Sequence, residues 1–208
     1  MPGFGFSSKP DNVEYSMDYF NGKLIEFADA LELNQFSLIG NSLGGALSLG
    51  LSLNKPERIK KLILMGSGGI EDMETYNSMP GIQKLLSDFL GGEMNQEKIE
   101  GLLKLFPYDS SIITDEMIED RMQILPLMNP QVLASMKIPN LEDDLGKITH
   151  PMLVFWGMDD KFCPVSGASK IGQKCHDAQI ILFSRCGHWV MIEREEIFNQ
   201  TCIDFLNR

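Results

Sequence analysis

The chain has 208 residues, 43% of them hydrophobic, which is enough to bury the core of one globular domain and excludes a disordered protein. Its formal net charge of -11 opposes nonspecific attraction to nucleic acid and to anionic membranes, so neither is an expected partner. The sequence contains no apolar stretch of about 18 residues and no leader pattern. Its cysteines form no C-x-x-C pair, so we expect free thiols in a cytoplasmic protein without a metal centre: Cys163, Cys175, Cys186 and Cys202.

The hydrophobic pattern alternates between helix and strand along most of the chain. In chain order it predicts a helix at about 17–31 capped by Ser16, a strand at 36–39, a helix from 46, strands at 61–65, 151–156 and 178–183, and a helix near 194–206. Residues 70–140 show helical periodicity with Pro and Gly breaks and therefore predict a helical insertion. Apolar strands separated by helices are typical of a parallel sheet buried on both faces. The sequence thus predicts an α/β core, 1–69 and 141–208, interrupted by a helical lid at 70–140.

Residues 40–45 carry a Gly-x-Ser-x-Gly pattern between a predicted strand and a predicted helix. This spacing is typical of a nucleophile elbow, in which the serine sits on a strained turn and the glycines let strand and helix approach closely. The same pattern also occurs in glycine-rich turns without chemistry, so its context decides. Ser42 is therefore a candidate nucleophile that needs a base and an acid elsewhere in the chain.

Three histidines are candidates for the base. His150 precedes a predicted strand, away from the carboxyl edge where catalytic groups collect in open α/β sheets, and His176 lies in a polar segment. His188 follows the last predicted strand, which places it at that edge, although a histidine that only supports a loop would fit there too. Asp159 and Asp160 directly follow the preceding strand, and either one completes the order Ser, Asp, His that α/β-hydrolases use.

Four stretches together resemble the α/β-hydrolase superfamily and, more narrowly, the meta-cleavage-product hydrolases, which hydrolyse C–C bonds in aromatic catabolism. They are residues 2–7, 40–45, 156–164 and 186–189, spread over nearly the whole chain. The resemblance implies an α/β-hydrolase fold and a Ser-Asp-His triad that needs no cofactor. In that family the acid is the aspartate of Gly-x-x-Asp after the strand, which corresponds to Asp160.

The family's substrates are 2-hydroxy-6-oxohexa-2,4-dienoates, so the resemblance implies a small-molecule substrate with a carboxylate. Arg121 lies beside the apolar stripe of a predicted helix at 115–125, where an arginine either extends to a surface carboxylate or grips an anion in a pocket. The resemblance of this segment to the family lid favours substrate binding. It also implies that Asn41 and Trp189 line the polar part of the pocket, whereas their residue types equally fit a turn amide and a packed aromatic ring.

The resemblance also implies a mechanism with an acyl-enzyme. After ketonisation of the dienol, with Arg121 holding the charged end, Ser42 would attack the distal ketone, deprotonated by His188 while Asp160 orients the imidazole. C–C cleavage then leaves an acyl-enzyme that water hydrolyses. The Leu43 backbone N–H is the expected first oxyanion donor.

The second oxyanion donor of the family lies in a loop with a His-Gly pair, which is missing from this sequence. In the family, moreover, the segment that resembles residues 2–7 follows the fourth strand. We therefore expect an N-terminally truncated member that lacks its first strands. Because the loss of one oxyanion donor costs about 100- to 1000-fold in turnover, we expect weak or no hydrolase activity from the 208-residue chain.

Two other functions remain open at the level of the sequence. A carboxylesterase or another acyl hydrolase needs the same triad and differs only in its pocket. A noncatalytic binding protein on a truncated hydrolase scaffold would keep the fold without a reactive serine. The sequence does not determine the substituent on the ketone, and it leaves the oligomeric state open, a homo-oligomer included.

Overall fold

The computed structural model describes residues 1–208, except for the side chains of Leu90, Pro130 and Ala134. At its centre, parallel strands form one sheet in the order β1-β2-β3-β4: β1 Phe36–Asn41, β2 Ile59–Met65, β3 Met152–Gly157 and β4 Ala178–Phe183. Each strand lies within two residues of its predicted bounds. Because the strands are parallel, their carboxyl ends share one edge of the sheet. The predicted α/β fold with a parallel sheet is confirmed.

Helices cover both faces of the sheet and fill the segment between β2 and β3. The α-helices of the described chain are α1 Met17–Ala30, α2 Leu43–Asn54, α3 Met73–Ser78, α4 Pro80–Leu90, α5 Gln96–Leu103, α6 Asp115–Ile124, α7 Pro130–Ser135, α8 Ser166–Lys174, α9 Val190–Glu193 and α10 Glu195–Leu206. Short 3-10 helices lie at Pro56–Arg58, Ser110–Ile112, Leu125–Leu127 and Glu142–Lys147. As predicted, Ser16 caps α1, with its Oγ accepting the Tyr19 N–H at 3.3 Å. None of these helices is long and apolar enough to cross a membrane.

Buried side chains alternate between the two faces of the sheet, as the pleat of a strand requires. On β2, Leu62 and Leu64 pack in one cluster with α1, α2 and α8, whereas Ile63 and Met65 pack in another with α10. The strands are therefore buried on both sides, which explains their near-continuous apolar sequences.

The lid, which comprises α3 to α7, rests on the carboxyl edge of the sheet. Ile99 and Leu103 of α5 and Ile118 of α6 form a third apolar cluster with Trp189, which follows β4. This cluster attaches the lid next to His188. The domain boundaries at 70 and 140 stay a prediction, although the segment between them is helical.

β1, the strand that leads to Ser42, lies at one edge of the four-stranded sheet. Its outward-facing Ile39 is 53% exposed, which is unusual for an apolar residue of a parallel strand. Such an edge, with free backbone groups and an apolar side chain, is a site where other strands can pair.

Candidate active site

Ser42 occupies the tight turn between β1 and α2, at the carboxyl edge of the sheet. Its backbone angles, φ 56° and ψ -117°, lie in a region that residues with side chains rarely adopt. A side chain at Gly40 would collide with the Gly44 carbonyl, so the turn requires glycine there. The Ser42 N–H donates to the Met65 carbonyl at 3.0 Å, and the Ser42 carbonyl accepts the Gly68 N–H at 2.9 Å. The turn thus has the strained strand-turn-helix geometry of a nucleophile elbow.

Asp160 and His188 meet beyond the ends of β3 and β4. Their exposed fractions are only 8% and 1%, and Asp160 Oδ2 lies 2.7 Å from His188 Nδ1. The other carboxylate oxygen accepts the N–H groups of Phe162 at 2.8 Å and Cys163 at 2.9 Å, which fixes the orientation of the carboxylate. Asp159 is exposed. The structure therefore brings Asp160, and not its neighbour, to the imidazole, and this leaves Nε2 to act as a base.

Gly66, directly after β2, connects this pair with the serine turn. A Cβ at Gly66 would lie 2.7 Å from Asp160 Oδ2 and 2.9 Å from His188 Nδ1, and the preceding residue accepts the Ser42 N–H. Ser42 and the Asp–His pair thus flank the end of the same strand. The side-chain hydrogen bond of the described His188 ring is the one to Asp160, so the contact between Nε2 and Ser42 Oγ stays a prediction.

Glu193, the last residue of α9, fixes the loop that carries His188. Its Oε1 accepts the Gly187 N–H and its Oε2 accepts the Tyr108 N–H, both at 2.8 Å. The His188 N–H itself donates to the Phe106 carbonyl at 2.7 Å. One carboxylate therefore holds the histidine loop and the chain segment before α6 together. No motif in the sequence points to this residue.

Arg194 holds the start of the same loop. Its Nη2 donates to the carbonyls of Ser184 at 3.0 Å and Arg185 at 2.8 Å. Arg185 has a φ of 54°, in the left-handed region. The guanidinium thus stabilises a strained turn that aims the chain toward His188. This residue, too, is absent from the sequence-based site.

Asn41 and Trp189, two of the predicted substrate-binding residues, make contacts within the protein. The Asn41 side-chain amide donates to the carbonyls of Met65 at 3.0 Å and His188 at 3.3 Å, so it ties β1 to β2 and to the histidine loop. Trp189 is 7% exposed and stacks on Phe106, with ring centroids 4.6 Å apart. Both lie next to the catalytic candidates, and their contact with a substrate stays a prediction.

Arg121, the third predicted binding residue, lies in the last turn of α6 and is half-buried. Its neighbours Ile118, Met122 and Leu125 pack into the apolar lid cluster, as the predicted stripe requires. Arg121 is not part of the wall of the cavity beside Ser42. The guanidinium therefore lies outside the wall of this cavity, and its role in anion binding stays a prediction.

A cavity of about 390 Å³ opens beside Ser42 between the sheet edge and the lid. Its wall exposes mainly apolar surface, to which Leu43, Ile82, Leu85, Leu86, Met136 and Ile138 contribute, and Tyr76, Asn77 and Asn140 add polar groups. Its size and its apolar wall are typical of a pocket for a small organic molecule. No group of three or more His, Cys, Asp or Glu side chains that could hold a metal ion occurs among the described residues.

Cys163 is a second nucleophilic side chain in the wall of this cavity. Burial raises the pKa of its thiol well above the ordinary value, and the negative charge of Asp160 raises it further, while a hydrogen bond with Ser42 opposes them. The thiol therefore stays protonated at neutral pH and does not compete as a nucleophile. Ser42 remains the nucleophile that the geometry favours.

A parallel sheet covered by helices, with a strained serine turn at the carboxyl edge, defines the α/β-hydrolase fold. The model of the family described as "Serine aminopeptidase, S33" matches residues 2–195. The chain is 38% identical to 2-hydroxy-6-oxo-6-phenylhexa-2,4-dienoate hydrolase of Burkholderia cepacia, over 86% of this chain and 65% of that protein. It is also 38% identical to 2-hydroxy-6-oxononadienedioate/2-hydroxy-6-oxononatrienedioate hydrolase of Comamonas testosteroni, over 99% of this chain and 74% of that protein.

The solved structure of a meta-cleavage product hydrolase from Pseudomonas fluorescens matches with a TM-score of 0.86 and 30% identity, over 100% of this chain and 77% of that chain. The chain belongs to the meta-cleavage product hydrolases. It spans about two thirds to three quarters of the length of these relatives.

Proposed function

We propose that this protein hydrolyses a C–C bond in 2-hydroxy-6-oxohexa-2,4-dienoate-type compounds of aromatic degradation. The observation that carries the proposal is the buried Asp160–His188 pair, 2.7 Å apart, at the same sheet edge as the strained Ser42 turn. A serine needs such a base and such an orienting acid to become a nucleophile. The names of the relatives supply the substrate class.

The proposed reaction begins with ketonisation of the dienol and then passes through an acyl-enzyme. Ser42 Oγ attacks the distal ketone while His188 Nε2 takes its proton, and Asp160 stabilises the resulting imidazolium. The bond between the former ketone carbon and the dienoate breaks, its electron pair enters the conjugated dienolate, and the imidazolium returns the proton to that product. A water molecule, deprotonated by His188, then hydrolyses the ester on Ser42 and releases the second acid.

The backbone N–H of Leu43 is the proposed oxyanion donor. It is the first residue of α2, so its N–H has no acceptor within the helix, and it also lines the cavity. A backbone donor at this position stabilises the negative oxygen of the tetrahedral intermediate. Arg121, Asn41 and Trp189 are the proposed partners of the carboxylated end of the substrate.

Hydrolysis of 2-hydroxy-6-oxo-6-phenylhexa-2,4-dienoate, followed by the loss of dienolate absorbance and by chromatography of benzoate, tests the proposal. We expect slow formation of both products by the wild type, loss of at least about 1000-fold of that rate in Ser42→Ala, and no change in the matched control Ser37→Ala. The absolute rate checks the low turnover that the sequence predicts. Production of benzoate at an equal rate in Ser42→Ala would falsify the proposed mechanism.

Ester hydrolysis is the second candidate, because Arg121 does not line the cavity beside Ser42. The variant Arg121→Leu separates the two functions, with Lys104→Leu as a control that removes another cation of the lid region. We expect Arg121→Leu to lower kcat/KM for the carboxylated dienoate about 10- to 100-fold and to leave p-nitrophenyl butyrate unchanged. Equal effects on both substrates, or none on either, would favour the esterase.

We also propose a cytoplasmic location and a small-molecule substrate, with neither nucleic acid nor membrane as a partner. The four free cysteines support a reducing compartment, and the net charge of -11 opposes binding to polyanions. Mass spectrometry of the protein isolated under alkylating conditions checks the thiols; four alkylated cysteines are expected.

A further inference from the structure

Both ends of the lid meet one lysine of the core helix α8. Glu71 lies between β2 and α3, where the chain enters the lid, and Glu142 begins the 3-10 helix that follows α7, where the chain leaves it. Lys170 Nζ donates to Glu71 Oε2 and, at 2.8 Å, to Glu142 Oε2. We call these three residues the lid-base cluster. It connects two segments that are far apart in the sequence through a helix that belongs to neither.

The lid-base cluster is charged and only partly open to water. The Glu71 side chain is 7% exposed, and its other oxygen accepts from Ser166 Oγ at 2.6 Å. The side chains of Lys170 and Glu142 are 28% and 27% exposed. The hydrogen bonds with Glu142 and Glu71 raise the pKa of Lys170, so its ammonium stays charged at neutral pH. One positive charge therefore holds two carboxylates that would otherwise repel each other.

The backbone closes the base of the lid at the same place. The Leu141 N–H donates to the Gly69 carbonyl at 2.7 Å, and these two residues flank the predicted lid at 70–140. Lys174, one turn further along α8, donates to Glu142 Oε1 at 3.1 Å. In the described part of the chain, the exit of the lid is thus held by two lysines and its entry by one lysine.

The lid-base cluster also borders the cavity beside Ser42. Glu71 lines that cavity, and so does Asn140, whose Oδ1 accepts the Glu142 N–H at 2.8 Å. The two residues reach the cavity from opposite ends of the lid. The separation of these parts of the wall therefore depends on the attachment of both lid ends to α8.

We infer that Lys170 is a positioning residue, which fixes both ends of the lid on α8 and thereby keeps the wall of the cavity beside Ser42 in place for substrate binding. Lys170 does not itself line the cavity, so it acts through Glu71 and Glu142. The inference rests on the proposed function for the effect on substrate, whereas the attachment of the lid ends is a property of the folded chain.

Hydrogen exchange of the full chain, measured by mass spectrometry, tests the attachment. Lys170→Met removes the ammonium but keeps the bulk of the side chain, so the buried carboxylate of Glu71 loses its cation and must move toward water. We expect exchange to rise about 10-fold in peptides that cover 67–79. In peptides that cover 139–148, which Lys174 still holds, we expect a rise of about threefold.

Three further variants are controls for the loss of a lysine. Lys174→Met should raise exchange only at 139–148, and Lys137→Met, which removes an exposed ion pair with Glu14 near the lid exit, should raise it at neither end. Lys170→Arg should exchange like the wild type, because a guanidinium can donate to two carboxylates at once.

Steady-state hydrolysis of p-nitrophenyl butyrate separates positioning from a loss of folded protein. We expect Lys170→Met to raise KM about 5- to 10-fold and to keep kcat within about twofold, because Asp160 and His188 retain their hydrogen bond. Lys170→Arg should restore the wild-type KM. If circular dichroism shows that Lys170→Met is not folded, Lys170→Gln, which keeps a hydrogen-bond donor without the charge, makes the same test.

The outcomes separate the inference from the proposed function. Wild-type exchange at either lid end in the Lys170 variant without a cation, or a lower kcat with an unchanged KM, would overturn the inference. A wild type that hydrolyses neither the ester nor a dienoate would overturn the proposed function, while raised exchange at both lid ends would still support their attachment by Lys170.

Discussion

The sheet edge and the lid hold their functional side chains in different ways. At the edge, Asp160 is fixed by two backbone N–H groups and the histidine loop is fixed by Glu193, so hydrogen bonds determine the positions of the reacting groups. In the lid, Ile82 and Leu86 line the cavity from α4, and Phe89 of the same helix packs against the apolar lid cluster. Hydrogen bonds specify direction, whereas apolar contacts specify mainly volume. We therefore expect kcat to depend on single hydrogen-bonding atoms at the sheet edge. The choice of substrate should depend on the size and charge of side chains in the lid.

Among substitutions at the sheet edge, we expect the largest loss of kcat when the carboxylate of Asp160 is replaced. Asp160→Asn keeps the shape of the side chain but removes the charge that stabilises the imidazolium, so we expect kcat to fall about 10,000-fold. Asp159→Asn, one residue earlier and exposed, should stay within about threefold of the wild type. Rates for both variants decide between the two aspartates, and a larger loss in Asp159→Asn would contradict the site as described.

Gly66→Ala tests how closely Asp160 and His188 pack at the carboxyl edge of the sheet. A methyl group there would lie 2.7 Å from Asp160 Oδ2 and 2.9 Å from His188 Nδ1, and the residue has a φ of 46°. We expect kcat to fall about 100-fold and the unfolding free energy to fall by about 1–3 kcal/mol. Gly22→Ala, with open space around it, is the control. A variant with normal kcat would show that the Asp–His pair tolerates displacement.

Glu193→Gln tests whether the two hydrogen bonds of Glu193 position the loop that carries His188. The glutamine offers one oxygen for two N–H donors and turns its NH2 group toward the other, so the loop is displaced. We expect kcat to fall about 10-fold with KM within twofold, because neither N–H donor belongs to a residue that lines the cavity beside Ser42. Glu195→Gln, an exposed neighbour, should have no effect, whereas an equal rise in KM would indicate that Glu193 acts through the lid.

Tyr76→Phe gives the smallest effect and tests the lid. The Tyr76 hydroxyl accepts the Ile70 N–H at 3.2 Å, and burial raises its pKa to about 12. Its neutral form is thus stabilised by folding: the contribution is complete below the ordinary pKa of about 10 and is lost as the pH rises through 12. We expect the wild type to lose about 1–2 kcal/mol of unfolding free energy over this range relative to Tyr76→Phe. Parallel stability curves for the two proteins would contradict this.

The sequence predicts the strands and the edge residues because each depends on its neighbours along the chain. Ser42, Asp160 and His188 come one, three and five residues after strands whose apolar runs are visible, and chain direction then brings them to one edge. The contacts that fix them are long-range. Glu193 and Tyr108 are 85 residues apart, and Ser166 and Glu71 are 95 apart, so no local pattern reveals either pair.

In the lid, the sequence predicts the helices but not the residues that line the pocket. The stripe around Arg121 predicts α6 correctly, but the position of the guanidinium relative to Ser42 depends on how several helices pack. Likewise, the aliphatic wall of the cavity comes from α2, α4 and the segment after α7, which are separated in the sequence. The shape of the pocket, and with it the substituent that the substrate can carry, therefore cannot be predicted from the sequence.

Covalent labelling shows directly whether Ser42 is the nucleophile. The protein is treated with an alkyl fluorophosphonate, the labelled peptide is identified by mass spectrometry, and dienoate hydrolysis is measured on the same samples. We expect a single adduct on Ser42 and a loss of hydrolysis in proportion to its occupancy. A folded protein that stays unlabelled at Ser42, or one that keeps its full dienoate hydrolysis when Ser42 is completely labelled, would contradict it.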